Sequence, residues 1–189
     1  QTLIQLSLGD FGPHPRPVLQ NLDLEPLDNL RELNLSGLGM ASLSLPNFPS
    51  LSQLKIQAPS RGSRTGIRLN LEACTAIETL DIQGKIKELN LHQTLPLVNL
   101  KLEGTFKQDL VLEGHPNLSQ IQIRGPRDAE GPKTVQLREL PKLRTVQLGG
   151  GGPCQFILNG LPALERLAIG TLGQEATKLS TISFEGRIE

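Results

Sequence analysis

The sequence predicts an all-β solenoid of about eight coils, built from two parallel sheets with little helix. Three observations predict it. A two-residue alternation of apolar residues recurs along the chain and ends at Leu8, Leu24, Leu35, Leu45, Ile56, Leu71, Ile82, Leu91, Leu102, Leu112, Ile123, Leu137, Leu148, Leu158, Ile169 and Phe184, which is the signature of short strands with one buried face. The spacing of these ends alternates between a fixed interval and a variable one. The connecting segments are too short, and too rich in Pro and Gly, for ten residues at helical spacing.

The strands fall into two classes. Class A has a long apolar lead, as in LPALERLAI (161–169), LPKLRTVQL (140–148) and FPSLSQLKI (48–56); class B has a short one, as in IKELNL (86–91). From each B end to the next A end the interval is 11 residues in all seven cases, whereas from A to the following B it runs 16, 10, 15, 9, 10, 14, 10 and 15. The B-to-A corner is therefore constrained by packing, with Leu27, Leu97, Leu140 and Leu161 supplying it, and every insertion sits at the A-to-B corner. A coil without insertion is about 21 residues. Gly37, Gly84, Gly104, Gly125 and Gly150 after A strands, and Gly114, Gly160 and Gly186 after B strands, mark turns that need positive φ.

Composition narrows the functions. The chain has 189 residues, enough for one domain or one array, and its 19 Lys plus Arg equal its 19 Asp plus Glu, so no net field favours nucleic acid or an anionic membrane. It has no Trp, no Tyr and five Phe, which removes the usual stacking platforms for bases or sugars. No apolar run reaches the 18 residues of a membrane span, and the first ten residues lack a signal-peptide pattern. The initial Gln suggests a processed or excised chain, a piece of a larger protein.

The A units resemble the leucine-rich repeat, whose LxxLxLxxN signature they match in its LxxLxL part. Leu38, Pro59, Lys85, Thr105, Pro126, Gly151 and Leu172 stand where that family carries Asn, so the usual asparagine ladder is missing. With a strand on the second side in place of a helix, the chain is most similar to irregular bacterial members. The resemblance implies a right-handed solenoid whose A sheet meets a protein partner; a parallel β-helix is the neighbouring reading. It also suggests a secreted or host-delivered bacterial protein, with a cytoplasmic one as the alternative.

The exposed columns follow from the register. On the A face the middle column is Asn34, Lys55, Asp81, Lys101, Gln122, Gln147 and Ala168, with Asp81 between two lysines; Gln120 and Arg124 flank it. Lys55, Asp81, Lys101, Gln120, Gln122 and Arg124 are the candidate partner-binding residues of this face. Arg61, Arg64, Arg127 and Asp128 are those of a rim formed by long loops at 9–17, 57–66, 125–133 and 170–178, all on one edge. On the B face Arg68, Glu88 and Asp109 follow one another. Glu88 and Asp109 are the one candidate carboxylate pair for acid and base chemistry, weakened by Arg68 and by the lack of a cleft. Val111 and Ile157 are isolated apolar residues there.

His14, His92 and His115 lack metal-ligand spacing. Cys74 and Cys154 lie about four coils apart, too far for a disulfide, and read as small buried hydrophobes. The run Gly149 to Gly152 lacks the Lys and the helix of a phosphate loop. The expectation is thus a non-catalytic interaction module without cofactor or metal, whose exposed ends are able to pair. A polysaccharide-active or carbohydrate-binding β-helix and a structural spacer are the alternatives.

Overall fold

The computed structural model describes residues 3–9, 25, 27–37, 41–58, 66–92, 94–106, 108–125, 134–149, 154–170 and 179–185. These form a helix-free β-solenoid of about five turns, built from parallel strands. The first side carries β1 (Gln5–Leu8), β2 (Glu32–Ser36), β4 (Gln53–Gln57), β6 (Thr79–Leu91), β7 (Asn99–Phe106), β9 (Gln120–Arg124), β11 (Thr145–Gly149) and β13 (Arg166–Ile169), paired in that order. The second side carries β3 (Ser42–Ser44), β5 (Ile67–Leu71), β8 (Leu110–Glu113), β10 (Thr134–Arg138), β12 (Cys154–Asn159) and β14 (Leu179–Glu185). The strand expected to end at Leu24 lies outside the described residues.

First-side register follows the apolar alternation. Leu33, Leu54, Leu80, Leu100, Ile121, Val146 and Leu167 are aligned through successive pairings, as are Leu35, Ile56, Ile82, Leu102, Ile123, Leu148 and Ile169. All but Leu167 and Ile169, on the last first-side strand, are buried. Parallel strands keep like side chains in line, so each column of leucines fills one stripe of the core.

The constant B-to-A corner has a backbone cause. The carbonyls of Ile4, Arg31, Ser52, Glu78, Val98, Ser119 and Arg144 each accept two hydrogen bonds, from successive N–H groups one coil later, at 2.8–3.2 Å. Arg31 and Glu32 donate to Ile4, Ser52 and Gln53 to Arg31, Glu78 and Thr79 to Ser52, and the pattern runs on to Glu165 and Arg166 on Arg144. One residue more or fewer in the corner would carry a donor pair out of reach of its carbonyl. Beneath the forks Leu97 and Leu140 are buried, and Leu27 and Leu161 pack partly buried against the core.

The second side departs from expectation. There are two sheets, but they do not divide by side: one has ten strands, β3 and β5 among them, and one has four (β8, β10, β12 and β14). The cause is β6, whose 13 residues run through the A-to-B corner without interruption, pairing with β7 at Thr79–Ile86 and with β5 at Ile86–Leu91. β6 and β8, neighbours in the expected stack, do not pair, and no Cα of β8 comes within 8 Å of one in β6. Ile86 and Phe106 are partners, and the strands part beyond them, with Leu89 three residues past Ile86 and Leu110 four past Phe106. A one-residue difference between β5 and β6, Leu69 two residues past Ile67 and Leu89 three past Ile86, is instead absorbed by a bulge. Leu89 and Leu91 are only half-buried, whereas Leu69 and Leu71 on one side and Leu110 and Leu112 on the other are buried.

Two positive-φ positions have opposite chemistry. Gly104, at φ +141°, lies so close to the Gly84 carbonyl that a Cβ would overlap it. Glu139, at φ 50°, occupies the position two residues past a B strand that Gly114 and Gly160 hold elsewhere, at φ 70° and 64°. Left-handed backbone is unfavourable for a residue with a Cβ. Glu139→Gly is therefore expected to raise stability by about 0.5–1 kcal/mol and Gly104→Ala to lower it by about 2–4 kcal/mol, read by thermal melts. Equal melting temperatures for these two variants would contradict the corner geometry.

Candidate functional site

The first-side face is a sheet of polar columns whose order comes from the strand register. Lys55, Asp81, Lys101 and Gln122 are consecutive partners across β4, β6, β7 and β9. Asp81 is bound from one side only. Lys101 Nζ lies 3.4 Å from Asp81 Oδ2 and 3.7 Å from Glu103 Oε2. Gln83 Nε2 donates to Asp81 Oδ1 at 3.3 Å and in turn Gln83 Oε1 accepts from Gln57 Nε2 at 3.4 Å. Lys55 stands exposed and has no ion pair among the described residues. Asp81 stands between the two lysines in register, and Lys101 is the one paired with it: a carboxylate already satisfied by Lys101 and Gln83 gains little from ordering a second long side chain in water.

Farther along, with the amide oxygen of Gln122 turned towards Arg124, Oε1 accepts from the guanidinium at 2.7 and 2.8 Å. Gln120 is exposed beside them. The structure thus joins Asp81 with Lys101 and Gln122 with Arg124 as two pairs on one face, leaving Lys55 and Gln120 open to solvent. The rim residues Arg61, Arg64, Arg127 and Asp128 lie outside the described residues.

The second-side carboxylates are separated. Glu88 is 3.6 Å from Arg68 Nε and accepts from Asn90 Nδ2 at 3.3 Å, while Asp109 Oδ1 accepts from the Thr134 backbone N–H at 3.0 Å. They stand on opposite sides of the split between β6 and β8, each with its own partners. Val111 is exposed and Ile157 half-buried. Among the described residues no group of three or more His, Cys, Asp and Glu side chains converges on one point.

In the corner column that lies eight residues before each A end, Cys74, Thr94 and His115 stand among Leu27, Phe48, Leu140 and Leu161. Cys74 is buried, its Sγ 3.8 Å from the Pro46 carbonyl, and burial raises its thiol pKa to about 11, so it is an unreactive space-filler. His115 is buried, its Nδ1 without a hydrogen-bond partner. Burial lowers its pKa below the usual 6.5, opposed by a backbone hydrogen bond at Leu95. The column register is the sequence signal that exposes His115 as an interior titratable group.

Comparison with known proteins finds no matching family model, no matching curated protein and no matching solved structure.

The His115 shift fixes the sign of a pH effect. On acidification the unfolded chain, with the ordinary pKa of 6.5, takes up the proton before the folded one. The stability associated with neutral His115 is present above that pKa and is lost as pH falls below it. The melting temperature should therefore fall between about pH 7 and about pH 5, and His115→Leu should flatten that fall while costing no more than about 1 kcal/mol at neutral pH. An unchanged slope in the variant would assign the pH effect elsewhere.

Proposed function

We propose that this chain is a non-catalytic protein-interaction module, a right-handed, leucine-rich-repeat-like solenoid of eight coils that binds a protein partner through its first-side face. The observation that carries this reading is the side-chain pairing on the face: Asp81 meets Lys101 across the strands and Gln83 along its own strand, and Gln122 meets Arg124 along β9. Side chains held in one geometry before contact lose little entropy on binding, which is the main cost a polar interface must overcome. The eight consecutive strands of the first side support the coil count.

Lys55 and Gln120, exposed beside the two pairs, are the free donors of this face; Asp81, Lys101, Gln122 and Arg124 form its paired set. The edge carrying Arg61, Arg64, Arg127 and Asp128 is the proposed rim, because length variation confined to one corner is how a solenoid varies a binding edge without disturbing its core. A polar sheet with small charge clusters suits a partner of complementary charge and selects it more by specificity and association rate than by buried apolar area.

Quantitative affinity capture from extract of the native host, followed by titration of the retained protein, tests the reading. Lys55→Glu combined with Gln122→Ala should leave the melt within about 0.5 kcal/mol of the parent and weaken the partner at least about tenfold. Shortening 57–66 or 125–133 to the uninserted length should leave folding intact and reduce binding if the rim takes part. Undiminished capture by the Lys55→Glu, Gln122→Ala variant would reject the first-side face as the binding surface.

A further inference from the structure

The split in the second side has the features of a vacant strand position. Hydrogen-bonded strands lie about 4.8 Å apart, and two strands with one between them about 9.6 Å apart. β6 and β8 have no Cα pair within 8 Å, so they stand farther apart than directly paired strands. Both borders are strands already paired on their other edge, the Arg68–Leu71 stretch of β5 against β6 and β10 against β8, so their remaining N–H and C=O groups point into the gap. Among the described residues nothing pairs with those two edges. Leu89 and Leu91 are half-buried only here, at a position where the second-side leucines of the flanking strands are covered.

Charge indicates what would fit. Glu88 stands on one border and Asp109 on the other, in the same outward column, and Glu113 lies at the far end of β8 opposite exposed His92. On the occupied side of β6, Arg68 already takes the position next to Glu88, 3.6 Å from its carboxylate. A strand inserted on the vacant side would place its own first outward residue between Glu88 and Asp109.

We propose that this gap is a docking site for one extended strand of a partner protein, lying parallel to β6 and β8 and reading basic, apolar, any residue, apolar, basic. Its two apolar side chains cover Leu89 and Leu91 beside Leu110 and Leu112. Its first basic residue meets Glu88 and Asp109, its last meets Glu113, and its backbone completes both edges by β-augmentation. The site is distinct from the first-side face, and reversing charge on that face serves as its control.

The probe is a fluorescein-labelled, amidated peptide, Gly-Ser-Arg-Leu-Thr-Leu-Arg-Ser-Gly, titrated into the intact chain by fluorescence anisotropy, with a scrambled peptide that lacks the alternation. Saturable binding of the alternating peptide alone is expected, with amide hydrogen exchange slowed in residues 87–91 and 110–113. Glu88→Gln combined with Asp109→Asn keeps the acceptor that Thr134 uses and should weaken binding about tenfold, the loss expected for two charge-assisted contacts, while Lys55→Glu leaves it unchanged. The proposal is overturned by absence of saturable binding, by equal binding of the scrambled peptide or of the Glu88→Gln, Asp109→Asn variant, or by protection confined to the terminal strands β1 and β13. The exchange measurement on the parent chain decides the matter even if the double variant folds poorly.

Discussion

Everything in this solenoid hangs on a backbone constraint at one corner: a carbonyl that receives two N–H groups from the following coil. Seven such forks run in sequence from Ile4 to Arg144, each coil supplying both the donors for the coil before and the acceptor for the coil after. Buried backbone groups must find partners, so the chain is held to one path where it turns into the first side. Side-chain stripes then follow automatically, because a fixed start for every strand puts Leu33, Leu54, Leu80 and Leu100 in one line. Among the described residues the opposite corner shows no such fork ladder, and in the sequence it is where the length variation occurs.

This asymmetry divides labour between the two sides. The first side is regular and offers a continuous polar surface on which neighbours hold one another's side chains, as Gln57, Gln83, Asp81 and Lys101 do in series. The second side absorbs the differences in corner length. It joins the first-side sheet at β6, and β8 begins a separate sheet with no Cα within 8 Å of β6. Burial follows the same division, with half-exposed leucines in the interior of the stack appearing where the second side divides.

The first-side register was legible in the sequence because each strand carries its own apolar pair and each corner the same 11 residues. The second-side split was not, since Leu89 and Leu91 carry the same apolar alternation as the other second-side strands and nothing in that pattern says that β8 pairs with β10 alone. Glu139 was readable in principle: it interrupts a column of glycines, and the structure gives it their backbone conformation. His115 was likewise visible as a histidine in a column of leucines, though its lone Nδ1 needed coordinates. The pairing of Asp81 with Lys101 rather than Lys55 depends on side-chain geometry, which the column order left symmetrical. The rim arginines Arg61, Arg64 and Arg127 lie outside the described residues, so that half of the expected surface rests on sequence alone.

The 13-residue strand β6 also bears on how the protein comes apart. Its pairing partners are coils immediately before and after it, so coupling through the array is a chain of nearest-neighbour terms. Most neighbouring coils are joined along both sides, but the coil of β6 and the coil of β7 and β8 are joined along the first side only. At that junction the eight-residue pairing of Thr79–Ile86 with Asn99–Phe106, the longest between any two strands among the described residues, carries alone the coupling that elsewhere is shared between two sides.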